Sequence, residues 1–236
     1  MSGCGALLID FGGTLDADGL RWAARFHAAY RRVGGTLSLR RFEPIFRASD
    51  RALEHLPDIR GMGFRAMIDA QAVLLRDLLS PIDPAAVDAS RVAEAFHAQA
   101  VRTVERNRPV LEVLRARFRL AVISNFTGNL DRCLDELGIR SFFDVVTDSA
   151  VHGVAKPDPV LFRRTLDALG VSASDACMIG DNLIADIAAA RDLGMRTIWI
   201  VPRRRSAPAG PQPTARVARF ADLPGVLLAP GVPCTA

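Results

Sequence analysis

The chain has 236 residues, half of them hydrophobic and 24% charged, which is globular composition and excludes a disordered or fibrous chain. Residues 17–106 carry 14 arginines against 11 acids, and the remainder 16 basic against 15 acidic residues, for a formal net charge of +4; neither part has the basic excess or interleaved aromatics of a nucleic-acid surface. No apolar run approaches the ~20 residues that span a bilayer, and Met1–Asp10 lacks the basic start and long apolar stretch of a signal peptide, so a soluble, cytoplasmic protein is expected.

In chain order, Ala6–Asp10 is a short apolar run ending in an acid and two glycines, the pattern of a buried strand entering a tight loop. Four amphipathic stretches follow, Leu20–Val33, Leu39–Leu56, Phe64–Leu79 and Pro84–Glu105, with Asp83–Pro84 as the start signal of the last. Four helices with no strand among them suggest an inserted bundle. Its face of Phe26, Tyr30, Phe42 and Phe46 reads as bundle core.

After Pro109 helices and strands alternate. Strands are expected at Leu120–Ser124, Val145–Thr147, Ala176–Ile179 and Thr197–Val201, and helices at Val110–Arg117, Asn129–Leu137, Pro159–Leu169 and Ile184–Leu193. Gly138, Gly170 and Gly194 sit where left-handed helix ends are wanted. This alternation predicts an α/β fold, a parallel sheet covered on both faces, which the first strand must join. The expected division is a core of residues 1–16 and 107–236 and a helical insertion of residues 17–106. Arg203–Arg216 reads as a surface loop, and the chain after Pro224 as a terminal turn with a frayed end. Four scattered cysteines without a CxxC pair read as reduced, mostly buried thiols.

Ligands of open α/β sheets gather at the C-terminal strand edges. There the sequence places Asp10, Ser124-Asn125, Asp181 with Asp186 one turn on, and a loop carrying Lys156, the one lysine among 30 basic residues. A single retained lysine points to a site wanting a compact ammonium. Clustered carboxylates need a cation, and Mg²⁺ suits a few oxygen ligands plus substrate phosphate. Lys156 and Ser124 remain to hold phosphate oxygens, which makes a carboxylate a plausible nucleophile on phosphorus.

These residues lie in four segments: DFGGTL at Asp10–Leu15, VISN at Val122–Asn125, KPDPVLF at Lys156–Phe162 and IGDNLIADIAAARDLGM at Ile179–Met195. In order and in this strand context they resemble the haloacid dehalogenase (HAD) superfamily, with a helical cap inserted after the first motif. The resemblance implies a Rossmann-like sheet and a hydrolase acting on a small phosphorylated substrate, with no nucleic-acid or membrane partner. It also implies Asp10 as nucleophile, forming an aspartyl-phosphate, and Mg²⁺ held by Asp10, Asp181 and the carbonyl of Gly12, with Asp186 orienting a metal ligand or water. Ser124 and the amide of Asn125 would hold phosphate oxygens, and Lys156 would offset the charge of Asp10 and the transferred group.

One position departs from that pattern. The family's phosphatases usually carry a second Asp two residues after the nucleophile, as general acid–base, and here that place is Gly12. Such catalysis contributes about 10²–10⁴ in rate. The expected activity is therefore on substrates with a good leaving group, unless Asp16, Asp18 or His152 replaces the acid; Gly12→Asp is then expected to raise alkyl-phosphatase activity. The alternatives are a phosphate-ligand-binding relic and a 2-haloacid dehalogenase; the second is disfavoured because Asp181 and Asp186 are both present. A Schiff-base route from a cap lysine fails, since residues 17–106 contain none. Arg21, Arg25, Arg47 and Phe64 are the cap residues expected to face the substrate.

Overall fold

The computed structural model describes residues 4–83, 87–202 and 212–228. Six strands form one sheet: β1 (Ala6–Ile9), β2 (Arg119–Ser124), β3 (Val145–Asp148), β4 (Ala176–Gly180), β5 (Arg196–Ile200) and β6 (Ala215–Val217). Their order is β3-β2-β1-β4-β5-β6, and each neighbouring pair is parallel. β1 lies centrally, paired with β2 and β4, and all four of its residues are buried. This explains its continuous apolar sequence, since a parallel strand is covered on both faces. The chain order reverses at β1, where one neighbour is β2 and the other β4, so the tips of β1, β2 and β4 border one crevice.

Four helices separate β1 from β2: α1 (Trp22–Arg32), α2 (Leu39–Glu54), α3 (Phe64–Leu79) and α4 (Ala89–Arg115). α4 is longer than the sequence suggests. It begins at Ala89, with the Asp88 carboxylate accepting the Arg91 amide at 3.1 Å, and runs through Pro109 for 27 residues. Pro109 forfeits one backbone bond, but Val104, Asn107, Leu111 and Leu114 form a buried stripe that carries the helix past it. The two helices expected around Pro109 are thus one, and position 106/107 falls inside it. The start expected at Pro84 lies outside the described residues.

α5 (Leu130–Glu136), α6 (Ser149–His152), α7 (Pro159–Leu169), and a helical turn at Leu183–Ala188 leading into α8 (Ala189–Asp192) connect the later strands; α9 (Leu223–Leu227) ends the described chain. Gly138 and Gly170 have φ of 66° and Gly194 of 84°, the left-handed helix ends expected. β6 is an addition to the sequence reading, which had a loop through Arg216. Residues 203–211 of that loop and the expected frayed end at 229–236 lie outside the described residues.

The helical insertion rests on the sheet through aromatic rings. Phe11 and Phe126 come from loops at the sheet edge; Trp22, Phe64 and Phe96 come from α1, α3 and α4. Trp22 meets Phe126 at 6.1 Å, Phe96 at 5.0 Å and Phe64 at 6.2 Å between centroids, and Phe11 meets Phe64 at 6.0 Å. Phe26, Tyr30 and Phe42 are buried, as expected of bundle core, whereas Phe46, also buried, stands at the cavity over Asp10.

Candidate active site

Asp10 follows β1 directly, and its backbone then turns through Phe11–Leu15. Gly12 has ordinary dihedrals (φ −74°, ψ 111°), whereas Gly13 has φ 97°, open to glycine at little cost. A Cβ on Gly13 would stand 2.7 Å from Asp181 Oδ1, so the second glycine is required twice over. It lets the loop after β1 pass against the tip of β4.

Around Asp10 the expected residues do come together. Ser124 Oγ donates to Asp10 Oδ1 at 3.1 Å, and Lys156 Nζ to the same oxygen at 2.7 Å. Lys156 Nζ also reaches Asp186 Oδ1 at 2.7 Å and the Ile123 carbonyl at 2.9 Å, which accounts for all three ammonium donors. Asn125 plays a part that the sequence reading did not foresee: its Oδ1 accepts the Lys156 amide at 2.8 Å and its Nδ2 donates to the Lys156 carbonyl at 2.9 Å. This two-point clamp fixes the loop that delivers the ammonium. Trp199 Nε1 of β5 holds the Asp181 carbonyl at 2.8 Å, and the Asn182 amide donates to Asp186 Oδ2 at 2.9 Å.

Asp10, Asp181 and Asp186 offer carboxylate oxygens within 4.8 Å of one another. Burial pushes the Asp181 carboxyl well up, and Asp10 and Asp186 push it further against the pull of Lys156. Burial likewise raises Asp186, partly offset by Lys156. For Lys156 itself, burial works against the ammonium, but Asp10 and Asp186 outweigh it and hold the amine above its ordinary range. Three carboxyl groups gather around one ammonium, which leaves the site short of positive charge. Asp10 Oδ2 has no hydrogen bond among the described residues. This donor set fits a hard divalent cation bound through oxygen.

The substitutes considered for the missing acid do not face this cavity. Asp16 is fully buried beneath the loop: Oδ1 accepts the Gly13 amide at 2.7 Å, while Oδ2 takes Trp22 Nε1 at 2.9 Å and Arg25 Nη1 at 2.5 Å. Asp18 pairs with Arg106 and accepts the Phe220 amide at 2.8 Å. His152 ends α6 and does not line the cavity. Trp22 also alters the expectation for Gly12→Asp, because a Cβ at position 12 would meet its Nε1 at 3.2 Å. A side chain at position 12 therefore needs the indole, held on Asp16, to give by a few tenths of an ångström.

The cavity over Asp10 has a volume of about 230 Å³ and lies between the sheet edge and the helices. Of the cap residues expected to face it, only Arg21 lines it. Arg25 is buried on Asp16 with its guanidinium 4.1 Å from the Phe96 centroid, Arg47 is an exposed partner of Glu43, and Phe64 belongs to the aromatic contact. The cap wall comes instead from Trp22 and from Phe46, Asp50, Leu53 and Glu54 of α2. Asp50 was legible only as an acid beside the apolar stripe of Phe42, Phe46 and Leu53.

The model of the haloacid dehalogenase-like hydrolases matches residues 4–194. The chain belongs to this family. Among curated relatives, the hydrolase is 38% identical over 133 residues to a glyceraldehyde 3-phosphate phosphatase of Pyrococcus abyssi, covering 53% of this chain and 54% of that protein. It is 34% identical over 160 residues to a phosphoserine phosphatase of Thermus thermophilus, covering 66% and 63%. The hydrolase thus spans between half and two thirds of the length of these relatives. Among solved structures, it resembles a 2-haloacid dehalogenase of Pseudomonas syringae at 25% identity and TM-score 0.54, over 95% of this chain and 98% of that one. It also resembles the HAD-hydrolase YfnB of Bacillus subtilis in fold, at 18% identity and TM-score 0.61, over 96% and 100%.

Proposed function

We propose that this hydrolase is a Mg²⁺-dependent phosphatase acting on a small phosphorylated metabolite, with Asp10 as the phosphoryl acceptor. The observation that carries the reading is the convergence of Asp10, Ser124 and Lys156 beside Asp181 and Asp186, three carboxyl groups around a single ammonium. The names of the relatives support it, since they include phosphatases of a triose phosphate and of phosphoserine. In this reading residues 1–16 and 107–236 carry the chemistry, residues 17–106 form the cap over it, and the buried thiols Cys133 and Cys177 suit a cytoplasmic setting.

Asp10, Asp181 and the Gly12 carbonyl would hold the metal, with Asp186 orienting a metal ligand or water. When bound, it supplies Lewis-acid polarisation of the phosphoryl oxygens and offsets their charge. Lys156 pairs with Asp10 and faces the incoming phosphate as a point charge. Ser124 Oγ, now on Asp10, can turn to a phosphate oxygen, as can the Asn125 amide. The cap wall of Trp22, Phe46 and Leu53 limits the water around the transferring group.

The test is a panel of aryl, acyl and sugar phosphates and 2-haloacids, assayed with Mg²⁺ and with EDTA. Phosphate release that EDTA abolishes is expected. Chloride release without metal would establish the dehalogenase reading instead, and neither product would establish a ligand-binding relic.

A further inference from the structure

Gly12 leaves the leaving group without a proton donor from the nucleophile loop, and Trp22 Nε1, 3.2 Å from where a Cβ would stand, closes that route. Asp16 and Asp18 are both held in ion pairs outside the cavity. Among the described residues lining the cavity, the acids outside the Asp10–Asp181–Asp186 cradle are Asp50 and Glu54, both on α2. Glu54 is exposed. Asp50 is half-buried and makes no hydrogen bond or ion pair among the described residues. Phe46, Asp50, Leu53 and Glu54 lie on one stripe of α2, so Asp50 looks from the cap wall into the space that a phosphoryl group on Asp10 and its leaving group must share.

We propose that Asp50 is the general acid–base of this hydrolase, supplied by the cap in place of the acid missing at Gly12. The inference rests on the phosphatase reading above. In the first step an Asp10 carboxylate oxygen bonds to phosphorus while the bond from phosphorus to the leaving oxygen breaks. That oxygen keeps the bonding pair and takes the Asp50 proton, leaving as an alcohol. In the second step a water oxygen bonds to phosphorus and gives its proton to the Asp50 carboxylate. The bond from phosphorus to Asp10 breaks, Asp10 regains its carboxylate, inorganic phosphate departs, and Asp50 is protonated again.

The surroundings of Asp50 suit this cycle. Burial, and then Glu54 one turn on, push its carboxyl up to about 6, against a smaller opposing pull from Arg51. It thus holds a proton in an appreciable fraction of molecules near neutrality, as a donor that must also act as a base requires. The other charged groups on the cavity are Arg21, engaged with Glu43 at 3.2 Å, Lys156 with its two partners Asp10 and Asp186, and Asp181 beside them.

The test uses Asp50→Asn and Asp50→Glu in the full chain with Mg²⁺, following phosphorylation of Asp10 in a single turnover with phosphate esters whose leaving groups span alcohols to nitrophenols. Asp50→Asn is expected to slow transfer from alkyl esters by about 10² or more and from nitrophenyl phosphate by only a few-fold, to remove the fall in rate above pH 6, and to let phosphoenzyme accumulate. Asp50→Glu should keep the weak dependence on leaving group. Equal losses on all esters, a change in KM alone, or no change would overturn the role of Asp50. If wild-type protein phosphorylates Asp10 with none of the esters, the phosphatase reading itself has failed, which is a different result. The amide is near isosteric and Asp50 has no bonded partner, so the variant should fold; a lower melting temperature for Asp50→Asn together with the ester-dependent loss would still support the proton role, because unfolding alone affects all esters alike.

Discussion

Two residues decide the local chemistry by what they lack. Gly13 must be glycine, because its backbone is left-handed and Asp181 Oδ1 lies 2.7 Å from where a Cβ would be. Gly12 is different: its φ of −74° suits any residue, and only the indole of Trp22 resists a side chain. Gly12→Asp is therefore expected to move Trp22 off Asp16, lower the melting temperature and leave alkyl-phosphatase activity no higher than wild type. Steady-state rates on an alkyl phosphate check this, and a rise of tenfold or more would mean that the indole yields without cost. The sequence suggested a missing group at this position. It could not show the ring that fills the space, since Trp22 reaches it only through the tertiary contacts of α1.

At the scale of elements, the joint between the loop after β1 and the helical insertion is a buried ion pair. Asp16 binds the Gly13 amide with one oxygen and Trp22 and Arg25 of α1 with the other. Removing one partner of such a pair leaves an uncompensated buried charge, which typically costs about 3–5 kcal/mol. Arg25→Met keeps much of the side-chain volume but strands the Asp16 carboxylate, so a loss of that size is expected in urea unfolding at pH 8. A loss under about 1 kcal/mol would show that solvent reaches Asp16. Helices were readable where one face repeats, as in α3, and strands where an apolar run is covered on both faces, as in β1. The reading failed at Pro109, where local propensity ended a helix that the buried stripe from Val104 to Leu114 carries on. It failed again at β6, whose three residues, Ala215–Val217, have no pattern apart from their pairing with β5. Asp10, Lys156, Asp181 and Asp186 were legible as neighbours because a parallel sheet brings its strand tips to one edge; the Asp16 latch and the α2 wall depend on how the helical insertion packs, which no short spacing encodes.

At the scale of the molecule, the cradle is a store of charge that the fold holds together. Asp181 and Asp186 are raised, so the folded chain binds more protons than the unfolded one above about pH 4, where a free aspartate ionises. Stability in EDTA is thus expected to fall as pH rises from about 4 through the raised values. Lys156, also raised, has the same sign in a different window: its contribution is complete below the unfolded lysine value, about 10.4, and is lost only above that. Mg²⁺ binding the ionised cradle should raise the melting temperature more at pH 8 than at pH 5. Equal increments at both pH values in calorimetric scans would show that the carboxylates do not bind the ion.

The most direct measurement is acid quenching of the hydrolase during turnover of a phosphate ester with Mg²⁺, followed by peptide mass spectrometry. The account predicts one added phosphoryl group, labile to hydroxylamine, on the peptide containing Asp10, and none in Asp10→Asn. Turnover without a phosphorylated Asp10 peptide, or undiminished turnover by Asp10→Asn, would contradict it.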